Sequence, residues 1–371
     1  MRQPNPQSGS LFGDSLPNGR RIRQARELAA LTQTALAKKI GVSQGFVAQV
    51  EGSFKPASHE VVQRIALHTQ RFQPSFFYTA PPIEFPQDSV MFRAAAGITR
   101  AEETKARRYA EVACELAAAL LAHIKPLEFR LCSAAVPSPS ESARKVRSLL
   151  RLSDQPVGHL IREIEKAGIL VIALPMELPK RDALSLWAGG IQMPVVVLSG
   201  GRPGDQIRLS AACELGHIVL GHLTTRHSSN EQKAYEFAAE LLMPESTMRR
   251  EMIPPVTMST LISLKSRWRV SIQALVKRGS SLGILDESRA RYLNTQISVK
   301  GLRRNDVKIP LEKPRLLRQL AEHIHGSSFD SLANRLGYRS EFVKEILACY
   351  DAASPNEELP YSGKLVALRR R

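Results

Sequence analysis

Between residues 20 and 79 apolar side chains recur three and four positions apart, at Ile22, Ala25, Leu28, Leu36, Ala37, Ile40, Val42, Val47 and Val50. That period is helical and predicts the core of a compact helical bundle. Thr32 ahead of Gln33 reads as an N-cap, Gly41 as a stop and Ser43 as the next cap, so the stretch predicts helix, tight turn, helix. Residues 98–124 carry one long amphipathic pattern, expected to lie between domains or at a dimer surface. The pattern then changes: "QMPVVVLSG" (192–200) is a short, β-branched run bounded by Pro and Gly, which predicts a buried strand. "GRPGD" makes a loop into a helix that holds "AACELGHIVLGH" (211–222). In "NEQKAYEFAAELLMP" (230–244), Ala234, Phe237, Ala238, Leu241 and Leu242 share one helical face, with Glu231 at the start of the same stripe. Helical periodicity returns past 300, and "LANRLGYRSEFVKEIL" (332–347) echoes the front of the chain. A helical cap or dimer surface is expected there, with a second DNA-binding helix-turn-helix as the alternative.

The expected fold is therefore multidomain and mainly α, with a small α+β unit. A disordered lead-in covers 1–19, a helical bundle 20–79, a linker and amphipathic helix 80–130, an α+β domain 131–255, and a helical region 256–371. The hinge "QPSFFYTAPPIEFPQDSVMFR" (73–93) is rich in aromatics and proline, and its rings are expected to dock on a neighbour rather than face water.

Charge sharpens this picture. The net charge is +17, yet residues 20–79 hold nine Lys/Arg against three Asp/Glu, residues 80–245 hold 19 of each, and residues 246–371 carry an excess of +11. Basic ends around a neutral middle suit a polyanionic partner. The most apolar run, "ACELAAALLAHI" (113–124), is too short to span a bilayer and contains Glu115, so no membrane role is expected. The start of the chain lacks a basic-then-apolar signal, and Cys114, Cys132, Cys213 and Cys349 show no paired spacing; both point to a cytoplasmic protein. The tail "LVALRRR" is expected to be flexible and to touch phosphate non-specifically.

The chemistry concentrates in "CELGH". In an H-E-x-x-H helix two histidines four apart bind zinc, and the glutamate handles the protons of a zinc-bound water. Here Cys213 stands first. Cys213 and His217 lie about 40° apart around a helix and can address one ion, with Glu214 beside them as candidate general base. Thiolate is an ordinary zinc ligand. Glu231, on an inward stripe, is the third candidate ligand, leaving one position for water. His222 falls about 180° round the same wheel and is set aside. The other three cysteines have no such neighbours.

Residues 20–79, with "LTQTALAKKIGVSQ" and "VEG" as landmarks, resemble the phage-repressor (Cro/Xre-like) helix-turn-helix domain. The resemblance implies binding to double-stranded DNA, with Gln33 on a phosphate and Ser43, Gln44, Gly45 and Gln49 facing base edges. It also implies a buried ion pair between Arg26 and Glu51. Glutamine can make a bidentate contact to adenine, which suits Gln44 and Gln49, whereas Gly45 has no side chain to read with. A dimer on paired half-sites is expected.

Together with "GHLIREIEKAGILVIALPM", "QIRLSAACELGHIVLGH" and "EQKAYEFAAELLMP", this front makes the chain resemble the ImmA/IrrE group of metallopeptidases in their repressor-headed form, over about residues 20–300. The resemblance implies a zincin-like central domain and zinc. It implies a regulator coupled to an endopeptidase that cleaves a partner repressor, or to a degraded version that only senses a ligand or partner. Members typically have histidine at Cys213 and commonly asparagine at Tyr235. Intact Glu214 favours activity, and Cys213 favours sensing.

Overall fold

The computed structural model describes residues 16–80, 83, 99–124, 129–131, 134–177, 182–187, 191, 193–223, 228–299, 301 and 307–351. Most of the expected lead-in, most of the hinge between 81 and 98, and the basic tail lie outside them.

The head is α1 (Gly19–Leu28), α2 (Gln33–Ile40), α3 (Gln44–Glu51) and α4 (His59–Thr69), followed by a 3-10 turn, Pro74–Tyr78. Local chemistry sets its boundaries. The Thr32 hydroxyl accepts from the Ala35 amide at 3.0 Å, the Ser43 hydroxyl from the Phe46 amide at 3.1 Å, and Gly41 takes the left-handed conformation at φ 70° that ends α2. Of the nine apolar positions expected in this core, all are buried except Val42, which packs partly buried against it.

After α5 (Arg100–Leu121), opened by a Thr99/Glu102 capping box, come α6 (Pro139–Leu149), α7 (Leu160–Lys166), β1 (Leu170–Ala173), β2 (Ala183–Trp187), β3 (Pro194–Leu198), α8 (Gly204–Val219) and α9 (Ser228–Leu242). Then follow α10 (Glu245–Glu251), α11 (Met258–Trp268), α12 (Ile272–Ser281), α13 (Glu287–Val299), α14 (Leu316–His325), α15 (Asp330–Leu336) and α16 (Ser340–Leu347). The sheet order is β1-β3-β2, with β3 parallel to β1 and antiparallel to the edge strand β2. No helix is long and apolar enough to cross a membrane among the described residues.

This sheet is a wall between two cores. Leu170, Ile172, Leu184, Leu186, Val195 and Val197 face one core, shared with the head, the 3-10 turn, α5 and α14 to α16. Val171, Ala183, Val196 and Leu198 face the other, with α6 to α13. The period-2 alternation of a strand produces this division, since successive side chains take opposite faces. The helices read as one C-terminal region thus divide: α11 to α13 close the second core, while α14 to α16 return to the head.

The return is extensive. Gln73 donates its amide to the Gly337 carbonyl at 2.8 Å, and Arg339 donates its own to the Arg71 carbonyl at 2.9 Å. Phe72, Phe76, Phe77, Tyr338 and Phe342 stack with ring centroids 4.3 to 6.2 Å apart. Each buried ring contributes about 1.5–3 kcal/mol of burial, and of the described hinge aromatics Phe76 and Phe77 are buried against a neighbour while Tyr78 packs partly buried beside them. The echo motif is spent inside the molecule: α16 buries Phe342, Val343, Ile346 and Leu347. A polar knot accompanies the rings. Glu115 of α5 accepts from Arg21 (2.6 Å), Gln24 (3.0 Å) and the Tyr338 hydroxyl (2.9 Å), while Arg108 bridges Glu27 of α1 and Glu111 at 2.7 and 2.6 Å.

Candidate functional site

The site lies where α8 crosses α9 beneath the edge strand. Gly216 permits that crossing: a Cβ there would meet the Phe237 ring at 3.0 Å and the Ala234 carbonyl at 3.2 Å. The close approach puts His217, 1% exposed, against α9, where its Nε2 lies 3.4 Å from Glu231 Oε2. The Nδ1 of His217 is buried and without a hydrogen-bond partner. Glu231 is less inward than its stripe suggested, for its side chain is 56% exposed and only its carboxylate turns back to the histidine.

Glu214 points elsewhere. It is buried and accepts from the Ser185 hydroxyl of β2 at 2.5 Å, which fixes the carboxylate under the edge strand. Cys213 is partly buried; burial first, then the nearby carboxylates of Glu214 and Glu231, push its thiol up to about 12, with Lys277 pulling the other way. The group is therefore a thiol at neutral pH and a poor nucleophile. Tyr235 of α9 is likewise pushed up to about 12 by burial and by Cys213; its hydroxyl is buried without a partner, and Lys277 Nζ stands 3.3 Å above its ring.

The helical wheel misplaces His222. Because α8 stops at Val219 and the chain turns through Gly221 at φ 73°, the His222 ring comes edge-on to His217 with centroids 5.5 Å apart. Ser185 is missed for a different reason: "ALSLW" is a five-residue strand buried at four positions, with neither a clean alternation nor a β-branched run. Its Asp and Gly boundaries were the one available signal.

Zinc is the metal implied by the family resemblance of the sequence. Of the three donors expected to hold it, His217 and Glu231 meet, but among the described residues no group of three or more His, Cys, Asp and Glu is placed to hold a metal ion. The orphaned Nδ1 of His217 also lacks the second hydrogen bond that orients a ligating imidazole. This arrangement fits a two-donor pair and does not fit a three-ligand centre. What it offers is a buried carboxylate fixed by a serine, and a histidine–carboxylate pair.

On the head, Ser43, Gln44, Gly45 and Gln49 are exposed on α3, and Gln33 is half-buried at the start of α2. A chain of hydrogen bonds links Gln44 and Gln33 to the interior. Arg26 grips Glu51 at 2.5 and 2.9 Å, Gln33 donates to Glu51 at 2.9 Å, and Gln44 donates to Gln33 at 2.8 Å. Lys38 and Lys39 are exposed in the last turn of α2, where the helix dipole favours cations.

Residues 19–70 match the model of a helix-turn-helix domain, and residues 164–280 match that of the IrrE N-terminal-like domain, a peptidase family. No curated protein matches the chain. The second match begins in α7, spans the sheet, α8 and α9, and ends in α12. The chain thus carries an IrrE-type peptidase-family domain behind a helix-turn-helix head, the ImmA/IrrE type of organisation.

Proposed function

We propose that this chain is a DNA-binding transcriptional regulator whose IrrE-type domain works as a sensor that sets the state of the head. The carrying observation is the continuous core: one face of the IrrE-type sheet, α5, the returning α14 to α16 and the head bury their apolar side chains together. A free-standing protease localised by a basic domain needs no such connection. Among the described residues no third donor converges on His217 and Glu231, which supports sensing over turnover.

In this reading Gln44 and Gln49 read base edges, Ser43 and Gly45 let α3 approach the groove, and Gln33 braces Gln44 while its helix end meets phosphate. Two copies act on paired half-sites in the cytoplasm, which places both recognition helices one helical turn apart. Sequence readout is tested by Gln44→Ala, which should cost about 1–3 kcal/mol on a selected duplex, while Gln33→Ala weakens all duplexes more evenly. Equal losses on selected and scrambled DNA for both variants contradict the assignment.

A second reading, cleavage of a partner repressor, is favoured by one observation: Glu214 is retained, buried and held by Ser185. Co-incubation of repressor proteins with wild type and Glu214→Gln decides it, because only cleavage that disappears with the carboxylate supports this role.

A further inference from the structure

Beside the Cys213 site, and separate from its histidines, a cleft of about 900 Å³ runs between α8 and α12 under the segment 307–311. Its walls are mixed. Leu209, Ile272, Ile297 and Leu311 supply apolar surface. The charge at its rim is unbalanced: Lys265 is tied to Asp205 at 2.9 Å and Arg202 to Asp182 at 3.3 Å, whereas Lys277 and Lys308 face the cleft with no carboxylate paired to them among the described residues. Tyr235 lines the same cleft, with Lys277 over its ring and its buried hydroxyl unpartnered. A buried donor left unsatisfied costs about 1–3 kcal/mol, so a ligand group that draws Lys277 off the ring and reaches the hydroxyl relieves a penalty already present.

The roof of the cleft leads to the head. Backbone carbonyls of Ile309 and Pro310 press on Gly204, where a Cβ would meet each at 2.5 Å, and Glu312 is buried against Arg208 and the Ile161 amide (3.1 Å). The strand of chain then enters α14, whose first amides, Arg315 and Leu316, donate to Glu165 at 3.0 and 3.1 Å. A molecule in the cleft touches the segment that positions α14 to α16, and these hold the head.

We propose that this cleft binds an organic anion with an apolar body: the head group against Lys277 and Lys308, the body against Leu209, Ile272 and Ile297. The assignment rests on the sensor reading above and names the class of ligand sensed. A carboxylate and a phosphate ester share the required chemistry. Cations are disfavoured by the two unpaired lysines, and a wholly polar ion leaves the apolar wall uncovered.

The test is a fluorescence titration of the full chain with 8-anilinonaphthalene-1-sulfonate, beside its uncharged relative N-phenyl-1-naphthylamine. The sulfonate should bind saturably, and the double variant Lys277→Met/Lys308→Met should weaken it at least about tenfold while the uncharged probe keeps its affinity. Gln273→Glu, at an exposed position of the same wall, should act in the same direction. Competition by benzoate and by phenyl phosphate identifies the preferred head group, and displacement by either supports the site. Unchanged sulfonate affinity in both variants, equal losses for both probes, or displacement by neither competitor overturns the proposal. Because the titration contains no DNA, its failure leaves the DNA-binding reading to stand or fall on Gln44→Ala.

Discussion

The joint between head and sheet predicts a strongly non-additive pair of substitutions. Arg21 and Glu115 meet at 2.6 Å with side chains only 8% exposed, and Arg21 also donates to the Ala80 carbonyl at 2.8 Å and lies 4.8 Å over the Phe76 ring. Removing one partner strands the other charge in a dry interface, so Arg21→Met and Glu115→Leu should each cost about 3–5 kcal/mol. In the double variant no charge is stranded. Gln24 and the Tyr338 hydroxyl still lose their acceptor, for about 1–3 kcal/mol. The cycle should therefore give a coupling of at least about 2 kcal/mol. Urea unfolding of the full chain, followed by far-ultraviolet circular dichroism and by tryptophan fluorescence, measures it. Trp268 is buried in the core on the far side of the sheet, so the account expects both signals to shift together. Additivity within about 0.5 kcal/mol, or fluorescence midpoints that ignore joint variants, refutes the shared core as a mechanical connection.

Three further outcomes are expected. Burial pushes Glu165 up to about 8, against the pull of the Arg315 and Leu316 amides and nearby arginines, so the folded chain keeps a proton that the unfolded chain releases above its ordinary 4.5. Its contribution is full below pH 4.5 and is lost as pH rises toward 8, with a slope of at most about 1.4 kcal/mol per pH unit; Glu165→Gln should remove that slope from the urea stability profile, and a slope of opposite sign in the wild-type-minus-variant difference contradicts the cause. A Cβ at Gly45 meets nothing within 4 Å, so Gly45→Ala should raise stability by about 0.5–1 kcal/mol in thermal unfolding, and a loss means that α3 is not free on that face. Cys213→His completes an H-E-x-x-H set and should raise the zinc content of purified protein toward about one ion per chain, removed again by Glu231→Ala; wild type that already holds one ion, lost with Cys213→Ala, shows that the thiol does join the pair.

Local chemistry made the head legible. Thr32, Gly41 and Ser43 act on neighbours within four positions, and each caps or stops the helix it was expected to. β3 and the long α5 were equally open to reading, because period and length settle them. What escaped was set by distant partners. β2 exists because Ala183 to Trp187 pair with β3, and Ser185 acquires its role only through Glu214, 29 positions away. His222 was lost to the end of α8, which Gly221 marks in the sequence as Gly41 marks the end of α2. Most non-local is the return of α14 to α16, where Gln73 of the hinge bonds to Gly337 across 264 positions of chain. No periodicity signals which surface a helix will cover.

In the proposed mechanism the IrrE-type domain governs a DNA-reading head through the joint. The most direct test is the affinity of the full chain for a selected duplex, wild type beside Tyr338→Phe. This variant keeps the ring stack and deletes the hydroxyl that bonds to Glu115 at 2.9 Å and touches Arg21, and Tyr338 is fully buried and takes no part in the reading face. The account predicts that wild type prefers the selected duplex to a scrambled one by at least about 10³-fold, and that Tyr338→Phe shifts the selected affinity at least about threefold at unchanged protein fold. Equal affinity for selected and scrambled DNA, or a Tyr338→Phe curve superimposable on wild type, contradicts it.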